Sequence, residues 1–71
     1  MRYTIMIRED EDGGFLVSCP DLPGCHSEGD TPEDAISNMK EAIHCYLESL
    51  KKENLPIPMP AFFETIDIAS V

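Results

Sequence analysis

One long amphipathic helix, closed off by a proline-rich segment, constrains this chain more than any other feature. Thr31 suits the N-cap, Pro32 the first helical position, and Glu33 and Asp34 the positive end of a helix dipole. Apolar residues then recur at Ala35, Ile36, Met39, Ala42, Ile43, Tyr46, Leu47 and Leu50, steps of three and four that set one stripe toward a core. Lys51 and Lys52 complement the negative end, and Asn54 terminates the helix. Pro56, Pro58 and Pro60 then forbid regular helix or central strand, so 55–61 reads as an extended connector. A chain of 71 residues has room for a single domain, 1–71, with one such helix, and one helix covers only one face of a sheet.

The residues ahead of the helix read as three strands. Between 2 and 8, Tyr3, Ile5 and Ile7 point one way and Arg2, Thr4, Met6 and Arg8 the other, a strand with one better apolar face. The turn Glu9-Asp10-Glu11-Asp12-Gly13-Gly14 joins it to Phe15-Leu16-Val17-Ser18-Cys19, which makes a β-hairpin. Pro20-Asp21-Leu22-Pro23-Gly24 forces a loop, and a short strand follows from Cys25 to Glu28. After the connector, 62–69 contains Phe62, Phe63, Thr65, Ile66 and Ile68, a composition suited to a final strand. The expected order is β-β-β-α-β, an α+β domain. Residues 1–54 form its core, and the last strand runs parallel to the first in a small, mostly antiparallel sheet. The face away from the helix carries Met6 and Leu16, too apolar to be plainly solvated, and predicts a homo-oligomer, a dimer or tetramer.

Charge narrows the partners. Acidic residues outnumber basic ones 14 to 5, a net charge of −9, so phosphate backbones are repelled and a basic protein is attracted. No apolar run approaches the roughly 20 residues of a membrane helix, and the N-terminal apolar stretch is too short for a secretory signal, so the expected location is the cytoplasm. Three cysteines, Cys19, Cys25 and Cys45, cannot all pair within one chain and read as reduced thiols.

Chemistry has little to work with. Cys25-His26 and His44-Cys45 are adjacent pairs whose side chains diverge on strands and helices, whereas zinc needs four converging ligands. A Cys-His nucleophile has no third orienting group. The expectation is therefore no enzyme, no metal and no cofactor. Asp21-Leu22-Pro23-Gly24 is first a turn with Leu22 plugging the core; its other use is a partner-contacting loop with Leu22 as an apolar anchor. The acids Glu9, Asp10, Glu11 and Asp12 are first a solvated hairpin tip, and second a contact for basic residues.

Three stretches resemble the N-terminal domain of the HicB antitoxin family: Asp10-Glu11-Asp12-Gly13-Gly14-Phe15, Pro20-Asp21-Leu22-Pro23-Gly24-Cys25 and Gly29-Asp30-Thr31-Pro32-Glu33-Asp34-Ala35. Leu55-Pro56-Ile57-Pro58 also falls where the family has a proline-rich linker, so the resemblance spans about residues 2–60. It implies a truncated RNase H-like fold and a role in neutralising a small HicA toxin, an RNA-cleaving protein. Family members often carry a further DNA-binding domain. None follows in this sequence, so no direct nucleic-acid binding is expected. An RNase H-like fold also invites a search for a two-metal carboxylate set, but the first strand has no interior Asp or Glu.

The resemblance and the charge together predict an antitoxin-like module that silences a basic HicA-type toxin by occlusion. Glu9, Asp10, Glu11 and Asp12 on the tip and Glu41 and Glu48 on the helix exterior would steer the encounter. Leu22, Phe62 and Phe63 are the candidate apolar anchors. The alternative is a homo-oligomeric module of the same fold with no toxin.

Overall fold

The structure is a computed structural model and describes residues 1–69. Its elements are β1 (Met6–Glu9), β2 (Phe15–Ser18), β3 (His26–Gly29) and α1 (Pro32–Lys52). β1 pairs antiparallel with β2, with Met6 opposite Ser18 and Glu9 opposite Phe15. β2 pairs antiparallel with β3, with Phe15 opposite Gly29 and Ser18 opposite His26. The result is a three-stranded meander, order β1-β2-β3, with α1 packed mainly over β3 and then β2. The α+β class and the single helix on one face are as the sequence predicts.

Local chemistry sets the turns. At the first, Gly13 N–H donates to Asp10 C=O and Asp10 N–H to Gly14 C=O, both at 3.0 Å. Gly13 and Gly14 sit at φ +98° and +81°, which glycine alone adopts without strain. At the second, Leu22 N–H donates to Cys19 C=O at 3.0 Å and Cys25 N–H to Leu22 C=O at 2.9 Å. These two bonds fold 19–25 tightly enough to carry Leu22 inside. The helix is closed at both ends by its own residues. Thr31 Oγ1 accepts from Asp34 N–H at 3.1 Å. Asn54, at φ +56°, and Leu55 donate their N–H groups to the carbonyls of Lys51 and Leu50, the paired bonds of a left-handed helix cap.

The core is Val17, Cys19, Leu22, Cys25, Ala35 and Met39, with Tyr3, Ile5, Phe15, Ala42, Ile43, Tyr46 and Leu47 packed around it. Val17 and Cys19 come from the inner side of β2 and its exit, and Ala35 and Met39 from the helix stripe. Two side-chain bonds seat the helix. Asn38 Nδ2 donates to Glu28 C=O at 2.8 Å, and Tyr46 Oη to Pro23 C=O at 3.0 Å.

Two expectations need correction. The first strand was expected over 2–8, but β1 spans Met6–Glu9. Continuing its register would set Thr4 against Pro20, which has no N–H, and β2 turns away at Cys19, so residues 2–5 have no ladder partner. Ile7, on the inward side, remains 41% exposed because α1 lies toward β3 and leaves edge strand β1 uncovered. The final strand over 62–69 does not form: residues 55–68 contain neither helix nor strand, so the β-β-β-α-β order stops at the helix. A strand exists through a neighbour's N–H and C=O groups, and among the described residues no backbone ladder reaches 62–68. Its last tether is Ala61 N–H donating to Asp21 Oδ2 at 3.1 Å, and the next residue, Phe62, is 100% exposed.

Candidate protein-binding surface

The hairpin tip is the most acidic feature of the fold. Glu9, Glu11 and Asp12 are exposed and Asp10 is half-buried, its backbone closing the turn. The meander brings the end of β3 beside this tip. Gly14 lies against Gly29, and a shallow cleft is lined by Asp10, Gly13, Gly14, Glu28, Gly29 and Asp30. Gly29 in turn abuts the backbone of Asp34 and Ala35, so the first helical turn, with exposed Glu33 and Asp34, stands at the same end. The tip acids thus gain Glu28, Asp30, Glu33 and Asp34 as neighbours. The sequence reading did not join these residues to the tip; the signal available was the hairpin register, which returns β3 to the level of the first turn.

Glu41 and Glu48 are exposed and seven residues apart, two helical turns, so they share the outer face of α1 rather than the tip. Leu22 is not an anchor. It is 0% exposed, held in the core by the 19–25 turns, and cannot touch a partner while the domain is folded. Phe62 and Phe63 are 100% and 52% exposed, with Ile66 and Ile68 at 80% and 60%. Tyr3 Oη donates to Pro58 C=O, and Asp21 holds Ala61, so the tail leaves the domain at the Tyr3 end of the sheet, opposite the acidic tip. The role of Asp21 as a tether had no sequence signal beyond its place in the loop. Met6 and Leu16 are each 42% exposed on the outer sheet face.

The cysteines divide by burial. Cys19 and Cys25 are buried, with Cys19 N–H donating to Cys25 C=O at 3.2 Å, whereas Cys45 is exposed; all three are free thiols. Burial, and secondarily Cys19, pushes the Cys25 thiol above its ordinary range. Among the described residues, no three His, Cys, Asp or Glu side chains converge to hold a metal ion. No helix among them is long and apolar enough to cross a membrane. The arrangement favours contact with another macromolecule: an acidic end, an exposed apolar tail and a half-covered sheet.

The chain is similar to several known proteins. Residues 3–69 match the family described as the HicB-like antitoxin of the bacterial toxin-antitoxin system. A UPF0150 protein of Thermoplasma acidophilum is 53% identical over 58 residues, which cover 82% of this chain and 84% of that one. Antitoxin HicB 1 of Photorhabdus laumondii is 37% identical over 60 residues, 84% of this chain but 39% of that one. The crystal structure of the N-terminal domain of the Burkholderia pseudomallei antitoxin HicB superposes with a TM-score of 0.73 at 34% identity, covering 83% of this chain and 69% of that one.

Proposed function

The chain belongs to the HicB-like antitoxin family, and we propose that it silences a small, basic, RNA-cleaving toxin of the HicA type by occluding it. The observation that carries this reading is the separation of two binding features. Acids crowd one end of the domain, and an apolar tail leaves the other. The acids supply a long-range field that speeds encounter with a cation-rich, RNA-binding surface, and Glu41 and Glu48 extend it along the helix. Charge alone rarely holds a complex, so the tail supplies Phe62 and Phe63 as anchors. Prolines 56, 58 and 60 keep the connector extended and lower the ordering cost of laying the tail along a partner. Residues 62–69 become a strand when a partner's edge supplies the missing hydrogen bonds. Inhibition is steric: the toxin's RNA surface is covered, and no bond is made or broken.

The test is co-expression with any small basic open reading frame adjacent to this chain's gene. Growth arrest by the neighbour alone, rescue by the pair and co-purification of the two support the reading. A missing neighbour, or one that neither harms growth nor co-purifies, contradicts it and leaves the homo-oligomeric module, which the exposed outer sheet face favours.

A further inference from the structure

Two thiols in the core have no part in the antitoxin reading. The β2–β3 register pairs Ser18 with His26, so the next rung sets Cys19 directly opposite Cys25. Residues opposite one another in an antiparallel pair share a face, and both side chains enter the core, 3% and 6% exposed. One bond holds this rung, Cys19 N–H to Cys25 C=O at 3.2 Å, because Cys25 N–H turns instead to Leu22 C=O inside the loop. A bonded rung sets its Cα atoms about 5.5 Å apart, within the roughly 4.4–6.8 Å that a disulfide spans. The Cβ atoms need to close by about 1 Å, and a rung at the open end of the ladder, with one bond of two, can yield that much. Cys45 is exposed on α1, so neither core thiol has another partner inside the chain.

We infer that Cys19 and Cys25 are a reversible oxidation site: hydrogen peroxide joins them, and the disulfide locks the 19–25 loop. One sulfur, as its thiolate, attacks a peroxide oxygen. The O–O bond breaks, a sulfenic acid forms, and the expelled hydroxide leaves as water with the proton of that thiol. The second sulfur then attacks the first. The S–O bond breaks, the S–S bond forms, and a second water leaves with the proton of the second thiol. Two electrons pass from the sulfurs to the peroxide, and a dithiol returns them by exchange. Burial shields both sulfurs, so the step waits on opening of the loop, and exposed Cys45 reacts sooner. The closed loop carries Leu22, which fills the core, and Asp21, which holds Ala61 N–H. Cross-linking removes open arrangements of this loop from the unfolded chain, so the oxidised domain is the more stable one. A metal would be the other use of paired thiols, but among the described residues no third ligand joins them. The inference stands apart from the antitoxin reading, and its test needs no toxin.

Cys45→Ser removes the exposed thiol and leaves the pair. This full chain is treated with hydrogen peroxide, then denatured and labelled with a maleimide, which counts thiols whatever happens to methionine. Two labels before treatment should fall to none, with no cross-linked chains on a non-reducing gel, and return to two after dithiothreitol. The melting temperature should rise by several degrees on oxidation and fall back on reduction. Cys19→Ala in the same background should gain no stability from peroxide. The readouts on Cys45→Ser alone stand even where that second variant fails to fold. The inference is overturned by two labels that persist, by labels lost to sulfinic acid and not restored by dithiothreitol, by chains linked to one another, or by an oxidised domain that melts no higher than the reduced one.

Discussion

Gly29 and Ala35 meet backbone to backbone: a Cβ built on Gly29 would lie within 2.8 Å of the Ala35 Cα. Ala35 is itself 0% exposed, so the helix has no room to recede there. This approach sets the first turn of α1 directly on the end of β3 and helps place the helix toward that side of the sheet. Gly29→Ala is expected to destabilise the domain by about 1–3 kcal/mol, the usual cost of overpacking. The urea midpoint measures it, and an unchanged midpoint would mean that the helix shifts at no cost.

The helix ends were legible in the sequence because their chemistry is local. Thr31, Pro32 and Asn54 each act on backbone groups within a few residues, and the helix begins and ends where they dictate. The turn glycines were legible for the same reason. The acidic tip was visible as a run, but its neighbours Glu28 and Asp30 join it only through strand pairing. Leu22 fits both a core plug and a surface anchor as a residue type, and the 19–25 hydrogen bonds decide for the core. The tail misleads by composition. Phe62, Phe63, Ile66 and Ile68 favour a strand, yet β structure depends on a partner edge that lies elsewhere in space.

Thr31→Ala removes the side-chain acceptor for Asp34 N–H and is expected to cost about 0.5–2 kcal/mol. For a domain of this size each kcal/mol lowers the melting temperature by roughly 4–8 °C, which calorimetry resolves. Thr31→Ser keeps the acceptor and should recover most of the loss.

The Cys25 thiol is raised by burial, so the folded state favours the neutral form. Its contribution to stability is fully present below the unfolded thiol value, about 8.5, and is lost as pH rises past it toward the raised folded value. Urea unfolding between neutral and alkaline pH should show stability falling more steeply for the wild type than for Cys25→Ala. Equal slopes would remove Cys25 from the alkaline limb. In the same chain, a thiol reagent should modify exposed Cys45 rapidly and leave Cys19 and Cys25 for the unfolded state.

The two binding features should separate kinetically. Neutralising Glu9, Asp10, Glu11 and Asp12 together should slow association with a HicA-type toxin by about tenfold at low salt and flatten its salt dependence. Truncation after Leu55 removes Phe62 and Phe63 and should instead speed dissociation, with little change in the association rate. Surface plasmon resonance reads both rates. A truncation that leaves dissociation unchanged would show that the tail is not the anchor.

The central claim, inhibition by occlusion, is tested most directly by RNA cleavage in vitro. A purified HicA-type toxin, where one is encoded beside this chain's gene, is incubated with RNA while the chain is titrated in. The account predicts that cleavage falls to background once every toxin molecule is bound, and that high salt, which screens the steering charges, shifts the curve toward more chain. Undiminished cleavage with the chain in large excess would contradict it.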